Sequence, residues 1–299
     1  MGKRIKRFRL IVQSSWTLIT NGYLIGFIQG KIYTGKIKNI CVPGLNCYSC
    51  PGSFGSCPIG SLQAVLGSGQ YQFSFYLLSF FLILGTAIGR LVCGFLCPFG
   101  LIQELLNKIP FLKKITTFRG DHILRLVKYI ILAVFVVLLP LLVVDAAGNG
   151  FPWFCKWICP AGTLEGGIPL LITNPMLREA AGYLFMWKVL LLIVTIIISI
   201  MIYRPFCKYI CPLGAVYALF NRISIYRYTV DKSRCNNCRQ CEQACPMNIK
   251  PQEETNNPEC IRCGQCQEVC LSGAISSGFE IKPVYANKSG EEAVEGNRK

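Results

Sequence analysis

A single histidine stands among 299 residues. That scarcity excludes an ordinary haem protein and any His-rich metal site. Charge is scarce too: 15% of residues are Asp, Glu, Lys or Arg, against roughly 25% in soluble domains. Acidic residues are the rarer sign, 15 against 31 Lys and Arg, which leaves a net +16. Such a balance raises nucleic acid as a partner. The basic residues, however, punctuate apolar segments and form no single patch, so no nucleic acid is expected. No cleavable signal peptide is legible after "MGKRIKRFR", and Lys6 stands where a myristoylation signal needs Ser or Thr.

What the chain has instead is apolar mass and sulfur. It is 52% hydrophobic with 18 cysteines, and its mean hydropathy is +0.43. Four segments are long enough to cross about 30 Å of hydrocarbon: residues 8–28, the weakest, then 71–92, 123–144 and 183–203. Counting Lys and Arg orients them. With the N-terminus inside, the inner segments hold 5, 7 and 13, and the outer ones 3 and 3. A multi-pass protein of the cytoplasmic membrane, in contact with lipid and with both termini cytoplasmic, is the expectation.

Four Cys-Pro motifs separate these segments: "CPIGSLQ" at Cys57, "CPFGLIQ" at Cys97, "CPAGTLE" at Cys159 and "CPLGAVY" at Cys211. Each half then reads helix, outer motif, helix, inner motif, which is an internal duplication dividing near Gly120. Three motifs carry a second cysteine four residues earlier: Cys93, Cys155 and Cys207. Cysteines at that spacing share a face only on a helix. Proline after the second disfavours helix there and opens a new one. The motif is thus a bend that delivers two thiolates to a helix N-terminus, whose free N–H groups suit an anionic iron–sulfur cubane.

One motif supplies two ligands and a cubane needs four. Cys93, Cys97, Cys207 and Cys211 are therefore expected to meet at the inner membrane face and hold a [4Fe–4S] cluster. Outside, Cys155 and Cys159 form one half-site for a further cluster. Ser53 stands where the partner of Cys57 would fall, so "CVPGLNCYSCP" must supply the missing ligand. Cys50, itself followed by Pro51, is the choice, with Cys47 as competitor. Cys41 and the remaining cysteine are left to a disulfide or another cluster, and oxidation of the outer cysteines to disulfides is the competing reading. Gln63, Gln103 and Glu165 recur after the motifs and either hydrogen-bond a cluster or fix the helix start.

The polar last third carries the most specific pattern. "CNNCRQCEQACP" and "CIRCGQCQEVC" are both the C-x2-C-x2-C-x3-C run of bacterial two-cluster ferredoxins, in which each fourth cysteine serves the other cluster. Cys235, Cys238, Cys241 and Cys270 should hold one [4Fe–4S] cluster, and Cys260, Cys263, Cys266 and Cys245 the second. Zinc prefers paired C-x2-C modules with four ligands in all. The expected fold is membrane all-α, with four transmembrane helices in two parallel repeats (residues 1–119 and 120–230). A two-cluster ferredoxin-like α+β domain follows over 231–275, and 276–299 reads as a disordered tail.

The inner "CGFLCP" and "CKYICP", the four apolar segments and the two ferredoxin runs resemble the polyferredoxin-type membrane proteins represented by NapH and YccM. The likeness spans roughly residues 1–275. Membrane subunits of nitrous-oxide reductase maturation and of cytochrome oxidase assembly are similar. The resemblance implies an electron carrier or quinol dehydrogenase subunit, working between a quinone pool, cytoplasmic clusters and an iron–sulfur, flavin or cytochrome partner. The outer cysteines exceed the simplest family pattern, which puts nitrate in doubt as destination. Two other classes compete: an iron–sulfur sensor or assembly factor, and a thiol–disulfide oxidoreductase. Clusters at opposite faces of a bilayer about 30 Å thick are too far apart for fast tunnelling. Either the outer motifs dip inward or a quinone, flavin or partner bridges the gap.

Overall fold

The computed structural model describes residues 4–68, 74–110, 114–116, 118–146 and 148–279. Two of its helices are long and apolar enough to cross a membrane: Asp121–Leu142 and Tyr183–Met201, with hydropathies of 2.4 and 2.6. Only 28% and 11% of these windows are buried within the protein. Leu190, Ile193, Val194 and Ile197 point outward, each at least 42% exposed. A core helix of a soluble protein would bury such a stripe, whereas a helix solvated by lipid need not.

The first two expected spans come out shorter. Residues 8–28 form two helices, Arg4–Thr20 and Leu24–Gln29, parted at Asn21. The polar residues that weaken this run explain the break. Thr17, Thr20 and the Asn21 amide all donate back to carbonyls of the last turn, which competes with helix continuation. The Arg4–Thr20 helix turns Arg9 and Gln13 inward and leaves Phe8, Ile11, Leu18 and Ile19 more than half exposed. The second span appears as Phe75–Ile88, 14 residues ending at Gly89 with φ +52°. At 1.5 Å per residue that is about 21 Å, short of the hydrocarbon thickness. Its expected start, 71–73, lies outside the described residues.

Prolines shape the second half. Wider π-type turns over Leu132–Leu138 and Thr163–Gly167 precede Pro140 and Pro169. Proline has no N–H to donate and its ring displaces the carbonyl four residues back, so the preceding turn opens. The second of these turns carries Glu165.

The ferredoxin unit is closed by one antiparallel pair, Tyr226–Val230 with Ile275–Phe279, in register from Tyr226↔Phe279 to Val230↔Ile275. This moves both expected boundaries. Residues 226–230, assigned to the second membrane repeat, and 276–279, assigned to the tail, both belong to this sheet. The rest of the expected tail, 280–299, lies outside the described residues. One continuous core runs from Leu45 and Phe81 through Val92, Phe99 and Phe206 to Ile261 and Met247, so the unit is packed onto the helices and not tethered beside them.

Candidate functional site

The thiols of the two ferredoxin runs gather around two cavities. Cys235, Cys238, Cys241 and Cys270 line one cavity with Val230 and Ile275. Cys245, Cys260, Cys263 and Cys266 line another with Met247, Ile249 and Ile261. Asn237 and Arg239 in the first run, and Arg262 and Gly264 in the second, all have φ between +53° and +81°. Left-handed backbone costs a non-glycine residue roughly 1–2 kcal/mol. Its repetition at matching positions curls both runs alike, the kind of turn from which anion-binding nests are built.

The inner site is built across the two halves. Cys93, Cys97, Cys207 and Cys211 are all at most 7% exposed, and the four thiols lie in one another's electrostatic field. Each Cys-Pro bend caps a helix: Gly100 N–H donates to Cys97 Sγ and Gly214 N–H to Cys211 Sγ, both at 3.4 Å. Gln103 serves both roles that its place in the sequence left open. Its Nε2 donates to Cys207 Sγ at 3.2 Å, and its Oε1 accepts the free first-turn N–H of Phe206 at 3.1 Å.

Two arginines missed in the sequence reading lock the halves together. Arg90 Nη2 donates to the Cys207 carbonyl at 3.1 Å, and Arg204 Nη1 to the Cys93 carbonyl at 2.5 Å. Each stands three residues before the first cysteine of its own motif and reaches the equivalent cysteine of the other. That shared offset, in "RLVCGFLCP" and "RPFCKYICP", was the available signal. Around them three carboxylates each bridge two cations: Glu104 with Arg9 and Arg204, Glu259 with Arg90 and Lys128, and Asp121 with Arg125 and Lys208. Of these basic groups Arg90 and Arg204 lie in the field of the Cys93 thiol. Burial alone raises the Glu259 carboxyl, but Arg90 and Lys128 outweigh it and hold it at about 2.

The outer site repeats the device. Gly162 N–H donates to Cys159 Sγ at 3.4 Å. Gln63 Nε2 donates to Cys155 Sγ at 3.3 Å, while its Oε1 accepts Phe154 N–H at 2.9 Å. Cys57, Cys155 and Cys159 line a cavity of about 350 Å³, and the fourth thiol there is Cys47. The choice of Cys50 is corrected. Cys50 N–H closes a tight turn onto the Cys47 carbonyl at 3.1 Å, and Cys47, not Cys50, lines the cavity, its sulfur beside Gly162 together with that of Cys159. The Cys50 thiol meets Asn21 Oδ1 at 3.7 Å instead. Cys41 donates to Ser61 Oγ at 3.5 Å, so it is not joined to Cys50; all eighteen cysteines are free. Ser53, in the place of a ligand, accepts from Asn46 Nδ2 at 3.2 Å and donates to the Gly55 carbonyl at 2.7 Å, bracing the loop that carries Cys47. Glu165 accepts the Cys47 N–H at 2.8 Å, and burial pushes its carboxyl up to about 7.

The donor sets fit iron–sulfur cubanes. Burial, aided by Glu165 at Cys47 and by Cys263 at Cys260, pushes both up to about 12. Four such thiolates cannot coexist without compensating metal charge. Among the described residues no three Cys, His, Asp or Glu groups converge tightly enough for a single ion. In a cubane each thiolate caps its own iron, so the four thiols need not meet at one point.

Comparison with known proteins agrees. A 4Fe-4S binding domain family matches residues 72–119, 129–168 and 184–226, and a 4Fe-4S dicluster domain family matches 227–271. The Methanocaldococcus jannaschii protein MJ0749 is 32% identical over 201 residues, 65% of this chain and 67% of its own length. MJ0750 of the same organism is 28% identical over 236 residues, 77% of this chain and 89% of its own. The ferredoxin-type protein NapH of Escherichia coli is 25% identical over 191 residues, 60% of this chain and 59% of NapH. No solved structure matches. With thiolate quartets in both parts of the molecule and these relatives on either side, the chain belongs to the NapH/YccM-type polyferredoxins, iron–sulfur electron-transfer proteins.

Proposed function

We propose that this protein is embedded in the cytoplasmic membrane with both termini inside. There it carries electrons between a quinone pool, two ferredoxin-type centres on the cytoplasmic side and a redox partner across the membrane. Bound at the four quartets, [4Fe–4S] clusters would supply one-electron transfer. The chain's own residues hold the thiolates, exclude water and set the surrounding charge. The quartets are Cys235/Cys238/Cys241/Cys270, Cys245/Cys260/Cys263/Cys266, Cys93/Cys97/Cys207/Cys211 and Cys47/Cys57/Cys155/Cys159.

One observation carries the reading. Gly94, between Cys93 and Cys97, lies so close to Ile261, between Cys260 and Cys263, that a Cβ on Gly94 would fall 2.4 Å from the Ile261 carbonyl oxygen. Arg262 clasps this junction, donating to the Ile88 carbonyl at 2.8 Å and the Asn221 carbonyl at 2.9 Å. A ferredoxin quartet and a membrane quartet thus stand back to back. A sensor needs no such docking, whereas electron transfer does. For the quinone, a cavity of about 540 Å³ opens where Met201, Ile202 and Tyr203 meet Cys245. Its lining is mixed, with Ile115, Met201 and Ile202 among Asn107, Lys114, Lys208, Glu242 and Lys250, so apolar surface and hydrogen-bond donors for a quinone head group lie together next to a ligand cysteine.

Iron analysis of anaerobic protein tests the reading. About sixteen irons per chain are expected, at four per cluster, falling to about twelve in Cys97→Ser. A quinol analogue should reduce the centres in membranes. Iron confined to about eight per chain, or no reduction by quinol, would defeat it.

A further inference from the structure

The outer quartet does not lie a bilayer away from the inner one. Gly44 carries the outer loop onto the inner motif: a Cβ there would fall 2.7 Å from the Leu96 carbonyl oxygen and 2.9 Å from Cys97 Cα. Cys47 is three residues further on, a reach of at most about 11 Å even for extended chain. Pro43, just before, accepts the Tyr217 hydroxyl at 3.0 Å, and Tyr217 is fully buried. Tyr217 lies in the field of Cys93 and Cys97 of the inner quartet and of Cys57 and Cys41 from the outer part of the chain. Consecutive amides divide between the sites: the Leu45 N–H faces the Cys97 sulfur and the Asn46 N–H the Cys57 sulfur. Glycine at position 44 is what permits this approach.

We infer that Pro43–Asn46 and Tyr217 form a built junction that holds the outer and inner thiolate quartets as electronically coupled neighbours, so that electrons cross between them without a mobile carrier. The inference rests on the proposed loading of both quartets. No bond is made or broken: an electron lost at one quartet is gained at the other. Tunnelling through packed protein decays steeply with separation, and the junction replaces most of a membrane thickness by one loop and one ring. Tyr217 also falls six residues after Cys211, as Gln63, Gln103 and Glu165 do after their own cysteines. All four side chains reach across to the opposite half: Gln63 and Gln103 to the second, Glu165 and Tyr217 back to the first.

Electron paramagnetic resonance of the full chain, reduced anaerobically, reads the coupling directly. Cys57→Ser should lose about four irons, and the inner-site signal should then narrow and relax more slowly, because one of its two magnetic neighbours is gone and only the ferredoxin one remains. Gly44→Val should keep its iron yet shift the signal the same way, by wedging the loop off Cys97. Tyr217→Phe, which removes only the hydroxyl, serves if the valine variant fails to fold; it should keep its iron and weaken the coupling less than Cys57→Ser does. Iron loss in Cys57→Ser with an unchanged inner signal would overturn the junction. If Cys57→Ser loses no iron, the failure belongs to the proposed loading of the outer quartet.

Discussion

At the inner site Gln103 grips Cys207 and the Phe206 amide, and at the outer site Gln63 grips Cys155 and the Phe154 amide, with distances that differ by no more than 0.2 Å. The surroundings diverge. Two buried arginines, each paired with a carboxylate, close the inner site. The outer one opens into a cavity with Lys156 and Lys188 on its wall and a buried carboxylate, Glu165, on its loop. The shared part is what a thiolate quartet needs from backbone and amide. The part that differs sets potential, access and partner. A site sealed by arginine and docked on the ferredoxin unit suits relay. An open one suits exchange with something outside.

The comparison can be broken first at the ligands. Cys47→Ser should cost about four irons and Cys50→Ser none, as counted on purified anaerobic protein; the reverse would restore Cys50 to the outer site. Next come the buried charges. Arg204→Met leaves Glu104 with Arg9 alone and should destabilise the fold by about 3–5 kcal/mol. Lys188→Met, at the half-buried edge of the outer cavity, should cost less than about 1 kcal/mol; thermal unfolding separates the two. A smaller effect is expected from the clamps. Gln103→Leu removes a donor to a thiolate that favours the reduced state. A loss of about 1 kcal/mol there lowers the inner potential by roughly 40 mV. Gln63→Leu should move the outer potential alone, which a redox titration followed by resonance resolves.

The weakest effect is acid sensitivity. Burial raises the Glu104 carboxyl, but Arg204 and Arg9 outweigh it and hold it below its ordinary 4.5. A depressed folded value contributes stability that is complete above the unfolded value and lost as pH falls through the folded one. Between about pH 5.5 and about pH 3 the unfolding temperature of the wild type should fall more steeply than that of Glu104→Gln. Parallel slopes would remove Glu104 from the account.

Much of this was readable beforehand. The interleaved ferredoxin quartets follow from spacing, because three thiolates on a tight turn leave one iron for a distant cysteine. The Cys93, Cys97, Cys207 and Cys211 grouping follows from the duplication together with proline's effect on the backbone. Helix lengths were less legible: Thr17, Thr20 and Asn21 ended the first helix early through local hydrogen bonds that a hydropathy window does not see. The strand Ile275–Phe279 was missed because a five-residue strand is specified by its partner, Tyr226–Val230, nearly fifty residues earlier.

Residue chemistry and local spacing alone determined the Cys-Pro bends and the two tight cysteine runs, since those preferences act within a few residues. Only the tertiary structure decided between Cys47 and Cys50, paired Arg90 and Arg204 across the halves, and folded the outer loop down onto Cys97. Each of those depends on which way a turn sends a side chain and on how closely two glycine-bearing segments can pack, and neither is written in the order of residues along one segment.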